Sequence, residues 1–164
     1  MQEGAMLRRT DDFRRITKKL SGLLKQLEGS MPIDFTKDSS KILSNRGVYA
    51  FFSKDAPIYV GRANRTFRQR FRQHVGRSSQ HNQASFAFKM AKIEVMRKGI
   101  DSRNMTRKEL SKIPEFKVLL SRCKERIKTM KFRVVKIEDS KTQYLFEAFA
   151  AMEWNTKYND FDTH

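Results

Sequence analysis

Apolar residues recur at three- and four-residue steps over residues 11–28, at Phe13, Ile16, Leu20, Leu23, Leu24 and Leu27. That spacing predicts an amphipathic helix. Thr10 or Asp11 is placed to cap its start, and Gly29 follows its end. A turn-rich stretch, SMPIDFTKDSS, comes next. Two short runs of β-branched and aromatic residues, 46–53 (RGVYAFFS) and 57–61 (PIYVG), then predict a hairpin around KDAP. Residues 66–75 return to helical spacing, with Thr66 as cap, Phe67, Phe71 and Val75 on one stripe, and Gly76 at the end. A polar loop, GRSSQHNQ, leads to a helix over 84–97 with Phe86, Met90 and Ile93 inward and Gly99 as its stop.

Thr106 and Glu109 form a capping-box pattern. Pro114 suits the first turn of a further helix, whose stripe runs Phe116, Leu119, Leu120, Cys123, Ile127. KFRVVKIE (131–138) predicts a third strand. Ser140 and Gln143 repeat the capping-box pattern and open a helix through about Trp154. No internal repeat or low-complexity tract interrupts the chain. The expected fold class is α/β: a small, mostly antiparallel sheet of three strands flanked by helices. Residues 1–40 are expected to be an N-terminal amphipathic helix and linker, and 41–164 one domain with a helical insertion at about 77–130.

Length and composition fit this picture. The chain has 164 residues, enough for one domain, and 38% are hydrophobic, with 13 Phe among them. No apolar run is long enough to span a membrane. The N-terminus lacks the apolar stretch of a secretory signal. The single cysteine, Cys123, excludes an intramolecular disulfide framework and a Cys-based zinc site. It lies on a core stripe and reads as a packing residue. A reducing, intracellular (cytoplasmic) setting is the expectation.

Charge changes the picture most. Thirty-five Lys and Arg against 18 Asp and Glu leave a net charge of +17. So basic a small body favours a polyanionic partner, and nucleic acid comes first because each neutralised phosphate releases counterions. Charge serves DNA and RNA alike. An anionic membrane surface is the other candidate, through residues 11–28, although docking of that apolar face on the protein is the plainer reading.

Several side chains stand out against this background. GVY (47–49) and YVG (59–61) lie on the paired strands, which puts Tyr49 and Tyr59 on one side of the sheet. Arg70 and His74 are four apart on the next helix and share a face. Glu147 stands alone within YLFEAFAAM, without Lys or Arg at i+3 or i+4. Asn159 follows in NTKYN. Read singly, each has an ordinary explanation: core tyrosines, solvated arginine, surface histidine, exposed glutamate.

In this order and spacing, across 46–75 and 131–160, the residues resemble the GIY-YIG nuclease family, with Val replacing Ile in both triplets. The resemblance implies a catalytic set of Tyr49, Tyr59, Arg70, His74, Glu147 and Asn159. Tyr49 would be the general base on the attacking water, and Tyr59 would position water or phosphate. Arg70 would hold a phosphate through its planar fork, and Glu147 would hold Mg²⁺ or Mn²⁺. His74 would bond a tyrosine or a phosphate oxygen. Asn159, an amide, is suited to shaping the site rather than reacting. A tyrosine titrates near ~10, so Tyr49 needs help from Arg70 or the cation. Arg62, Arg65, Arg68 and Arg72 read as holders of the DNA backbone, with Arg62 also close to the site. Arg97, Lys98, Arg103, Arg107 and Lys108 either widen that contact or are solvated surface. His81 and His164 have no evident role.

The implied activity is a divalent-metal-dependent endonuclease that hydrolyses DNA and leaves a 5′-phosphate. Restriction, defence or mobile-element roles suit a chain of this kind, and a homodimer is one way to cut both strands. The alternative is a non-catalytic basic nucleic-acid-binding module of the same fold.

Overall fold

The computed structural model describes residues 2–35, 37, 40–80 and 83–161. His81 and His164 lie outside the described residues. The order of elements is helix α1 (Gln2–Gly29), a short 3₁₀ turn (Lys41–Ser44), strands β1 (Gly47–Ser53) and β2 (Ala56–Ala63), and helix α2 (Phe67–Val75). Helices α3 (Ser85–Arg97), α4 (Arg107–Leu110) and α5 (Pro114–Lys128) follow, then strand β3 (Lys131–Lys136) and helix α6 (Ser140–Glu153).

The three strands form one antiparallel sheet in the order β2-β1-β3. The central strand β1 is buried on both faces, because side chains alternate and each face meets helices. Tyr49 and Phe51 face a core shared with Phe67 and Phe71 of α2, Phe86 and Met90 of α3, and Phe116 and Leu119 of α5. Val48, Ala50 and Phe52 face a second core shared with α1 and with Phe146 and Ala150 of α6. Gly47 permits the central strand to sit this close to β3: a Cβ there would lie 2.1 Å from the Val135 carbonyl oxygen.

Helix α1 begins at Gln2, so neither Thr10 nor Asp11 caps it. Its Ile16, Leu20 and Leu27 are at most 7% exposed within the second core. Each such side chain contributes ~2 kcal/mol by leaving water, which favours docking of this face over membrane contact. Polar ties fix the helix in place. Lys141 donates to Asp12 at 3.1 Å, Trp154 Nε1 donates to Glu28 at 2.9 Å, and Arg133 donates to the carbonyls of Glu28 and Ser30. Phe13, expected inward, is instead exposed. Among the described residues, no helix is long and apolar enough to cross a membrane.

Two capping expectations have different outcomes. The Thr106/Glu109 box is present, with both reciprocal bonds made. At α6 the cap is Asp139, one residue before Ser140, and its carboxylate accepts from the Thr142 N–H at 2.9 Å. A carboxylate at the helix N-terminus also meets the positive end of the dipole, an advantage that a serine lacks. Gln143 turns inward and donates to the Ile137 carbonyl at 2.6 Å. Pro114 opens α5 as expected. Cys123 is a packing residue, and burial pushes its thiol up to about 12.

Candidate active site

The strand register places Tyr49 opposite Gly61 and Phe51 opposite Tyr59. Both tyrosines therefore lie on the same sheet face, with ring centroids 6.4 Å apart. Helix α2, capped by Thr66 through the Gln69 N–H, crosses that face with Phe67 and Phe71 inward. Its geometry turns Arg70 and His74 toward one spot, the Tyr49 hydroxyl. His74 Nε2 lies 2.6 Å from that oxygen, and Arg70 Nε donates to it at 3.1 Å.

Tyr49 and His74 are both fully buried. Burial pushes the Tyr49 hydroxyl well above the ordinary tyrosine range, and Arg70 pulls against that shift. Burial, aided by the Arg70 charge, holds His74 well below its ordinary value, so its ring is neutral at pH 7. Among the described residues, His74 Nδ1 has no hydrogen-bond partner. Arg70 donates to the phenol oxygen, so the Tyr49 hydrogen finds its acceptor in His74 Nε2, which places the ring hydrogen on Nδ1.

Arg70 is held on several sides. Its Nη1 donates to Gln73 Oε1 at 3.0 Å and to the Gln83 carbonyl at 3.1 Å, and its Nη2 donates to Ser85 Oγ at 3.2 Å. Sequence spacing did not reveal Gln83 and Ser85, because they come from the far end of a loop and the start of α3. The guanidinium faces an open pocket of about 600 Å³ lined by Tyr59, Arg62, Ala63, Asn64, Arg65, Thr66, Gln69, Arg70, Gln73, Gln83 and Glu147. Tyr59 stacks on Phe86 with centroids 4.5 Å apart, which fixes its ring at the pocket wall.

Glu147 reaches the same pocket from α6. It is half-buried, and its carboxylate accepts from Arg62 Nε of β2. The Arg62 guanidinium also lies over the Tyr144 ring, 3.3 Å from the centroid. The partner that the helix spacing denied Glu147 is thus supplied by a strand 85 residues away. Burial raises the Glu147 carboxyl above its ordinary value, and Arg62, Arg70 and Lys89 pull it back. Lys89 of α3 is a further neighbour that the sequence did not single out.

The other expected site residues fall elsewhere. Asn159 does not line the pocket. Its Oδ1 accepts from the Val60 N–H at 2.8 Å and its Nδ2 donates to the Val60 carbonyl at 2.8 Å, so its amide is used on the outer edge of β2. Tyr49 and His74 lie behind Arg70 rather than in the pocket lining. Arg65 lines the pocket, whereas Arg68 and Arg72 line the adjoining groove. Arg62 is engaged with Glu147 and Tyr144.

A divalent cation would find one hard carboxylate here. Among the described residues, no group of three or more His, Cys, Asp and Glu converges on a point. A hard cation of the Mg²⁺ kind is commonly held by one or two carboxylates, with water and phosphate oxygens completing its shell. Glu147, facing an open pocket beside Arg62, Arg65 and Arg70, fits that pattern.

No curated protein and no solved structure matches this chain. A family model, the GIY-YIG catalytic domain, matches residues 45–159. The matched stretch contains both tyrosine strands, the Arg70 helix and the Glu147 helix, and it covers most of the chain, which therefore belongs to the GIY-YIG family of nucleases.

Proposed function

We propose that the protein is a divalent-metal-dependent endonuclease that hydrolyses DNA phosphodiester bonds, working intracellularly on DNA as a restriction, defence or mobile-element nuclease. The carrying observation is that Arg70 and Glu147, from opposite sides of the sheet, face one polar pocket with Tyr59 on its wall.

Glu147 would hold the cation, which when bound supplies positive charge to the phosphate undergoing attack. Arg70 presents donors to the phosphoryl oxygens, where negative charge grows in the transition state. Arg62 and Arg65 line the same pocket and place the flanking backbone. Tyr59 positions the water or phosphate through its hydroxyl.

Tyr49 is the proton acceptor in this reading. In the closed arrangement it is a protonated phenol behind Arg70. Turning the Arg70 fork toward a phosphate uncovers the oxygen. Once uncovered, the phenol gives its proton to solvent in the pocket, and the phenolate so formed has the nearby arginine charge as support. His74 and Asn159 are positioning residues, the first for Tyr49 and the second for β2.

The test is plasmid cleavage with Mg²⁺ or Mn²⁺, wild type beside Glu147→Ala, with EDTA as control. Metal-dependent nicking or linearisation that the substitution removes supports the nuclease. Equal cleavage by both proteins overturns the assigned site. Salt-sensitive DNA binding without cleavage by either protein favours the basic binding module instead.

A further inference from the structure

The groove beside the active pocket continues along α2. Thr66, Gln69 and Gln73 line both the pocket and a second hollow that carries Arg68 and Arg72. That hollow reaches Ser79, which also lines a third one, about 660 Å³, between the turn after α2 and helix α5. Arg77 and Lys117 stand exposed at this basin, and the hydroxyl residues Ser79, Ser111 and Ser121 line it.

Lys124 lies at its base and is 7% exposed. Its Nζ donates to the carbonyls of Gly76 and Ser79 at 2.9 and 2.8 Å. Both partners are neutral, so its charge is not cancelled. The acid of the same basin, Glu125, pairs with Lys128 at 2.6 Å. An ammonium taken largely out of water without a carboxylate is costly. That cost is offset if an anion is bound beside it. Hydroxyls with three cations are suitable donors for a phosphate.

We propose that this basin is a second phosphate-binding site, gripping the same nucleic-acid strand whose scissile phosphate lies at Arg70. The inference rests on the nuclease reading. Helix α2 has nine residues, about 13 Å at 1.5 Å per residue. One strand of duplex DNA advances ~3.4 Å per phosphate along its axis. From Arg70 to the end of α2 at Val75 is five of these residues, so the basin just beyond lies about two to three nucleotides from Arg70, with Arg72 between them. The segment 77–130, read from sequence as an insertion, contributes to the binding face through Lys117 and Lys124.

The test uses the full chain and a fluorescent DNA duplex of about 20 base pairs, with binding followed by anisotropy from 50 to 200 mM salt. The double variant Arg77→Glu/Lys117→Glu changes exposed positions only. The control, Lys18→Glu/Lys25→Glu, carries the same charge change on α1, across the sheet. The basin variant should bind more than tenfold more weakly and lose about one unit of log–log salt slope for each phosphate contact removed. Its cleavage should show a raised KM with kcat retained at saturating DNA. Inorganic phosphate at millimolar concentration should compete no better with wild type than with the basin variant, because the site is filled by a strand and not by a free anion.

Basin and control variants that behave alike, while wild type cleaves, overturn the inference and leave the nuclease reading intact. A selective binding loss in the basin variant of a protein that never cleaves supports the basin and removes the nuclease. Strong competition by free phosphate confined to proteins with an intact basin overturns the strand assignment.

Discussion

The Tyr49 hydroxyl lies 2.3 Å from where a Cβ on Gly61 would sit. The two residues are register partners on adjacent strands, and the tyrosine ring crosses directly over the glycine. The two signature triplets are thus one packing unit. The glycine of the second leaves room for the tyrosine of the first, which then reaches His74 and Arg70.

Gly61→Ala tests that unit. The methyl group must displace either a fully buried ring or the backbone of the central hairpin. Overpacking of this kind costs about 1–3 kcal/mol. A lowered unfolding midpoint is expected, together with a loss of cleavage larger than the loss of folded protein, because the Tyr49 oxygen moves off its two partners, His74 and Arg70. Unchanged stability and cleavage in this variant would show that the contact has no consequence.

Arg70 is positioned as well as present. Arg70→Lys keeps the charge but loses the fork that spans Tyr49, Gln73, Gln83 and Ser85. Its cleavage rate should fall by about 10²-fold or more. Ser85→Ala removes one donor–acceptor contact to a charged group, worth about 1.5 kcal/mol, so kcat should fall by roughly tenfold. KM should change little. A Ser85→Ala effect confined to stability would mean that the contact serves only folding.

His74 gives stability a pH dependence of defined sign. Its folded value lies well below the ordinary ~6.5 because it is buried beside Arg70. Below that ordinary value the unfolded chain takes up a proton that the folded chain refuses. Stability is therefore complete above about pH 6.5 and falls as pH drops toward the folded value, by at most ~1.4 kcal/mol per pH unit from this group. Denaturant midpoints between pH 7.5 and 5 should show the decline, and His74→Gln should flatten part of it. A wild-type profile that is level across this range contradicts the assignment of a neutral, buried ring.

What the sequence revealed follows from the range of each interaction. The hairpin, the α2 stripe and the Thr106 box are local, and local spacing predicted them. Tyr49, Arg70 and His74 came together as read because strand alternation and an i, i+4 step fix their directions. The Arg62–Glu147 pair was not legible, because 85 residues separate its members and only the sheet brings β2 to α6. Gln83 and Ser85 were hidden for the same reason. The α6 cap moved to Asp139 because Asp and Ser both cap well and spacing alone does not choose between them. Helix α1 begins at Gln2, ahead of the apolar stripe from Phe13 by which spacing marks it.

Asn159 separates shaping from chemistry. Its amide makes two bonds to the Val60 backbone at the sheet edge. Asn159→Ala leaves those backbone groups seeking water, at a cost of about 1–3 kcal/mol. Thermal unfolding should register that cost, while cleavage per folded molecule at low temperature should fall by less than tenfold. A loss comparable with that of Arg70→Lys, in a protein of wild-type stability, would instead put the amide in contact with the reaction.

Under the proposed function, Arg62 and a divalent cation make opposing claims on Glu147. Its carboxylate already accepts from Arg62, and a hard cation needs the same oxygens with a full negative charge. Two positive groups drawn to one carboxylate repel each other, so occupation by either weakens the other. Arg62→Met removes one competitor and keeps an apolar contact with the Tyr144 ring. The Mg²⁺ concentration for half-maximal cleavage should therefore fall several-fold, even if the maximal rate also falls through loss of a phosphate contact. Glu147→Gln keeps an acceptor for Arg62 and removes the charge. It should retain the fold, bind DNA at least as well as wild type, and show no cleavage at any metal concentration. A metal requirement that Arg62→Met leaves unchanged would mean that the cation is held by something other than this carboxylate.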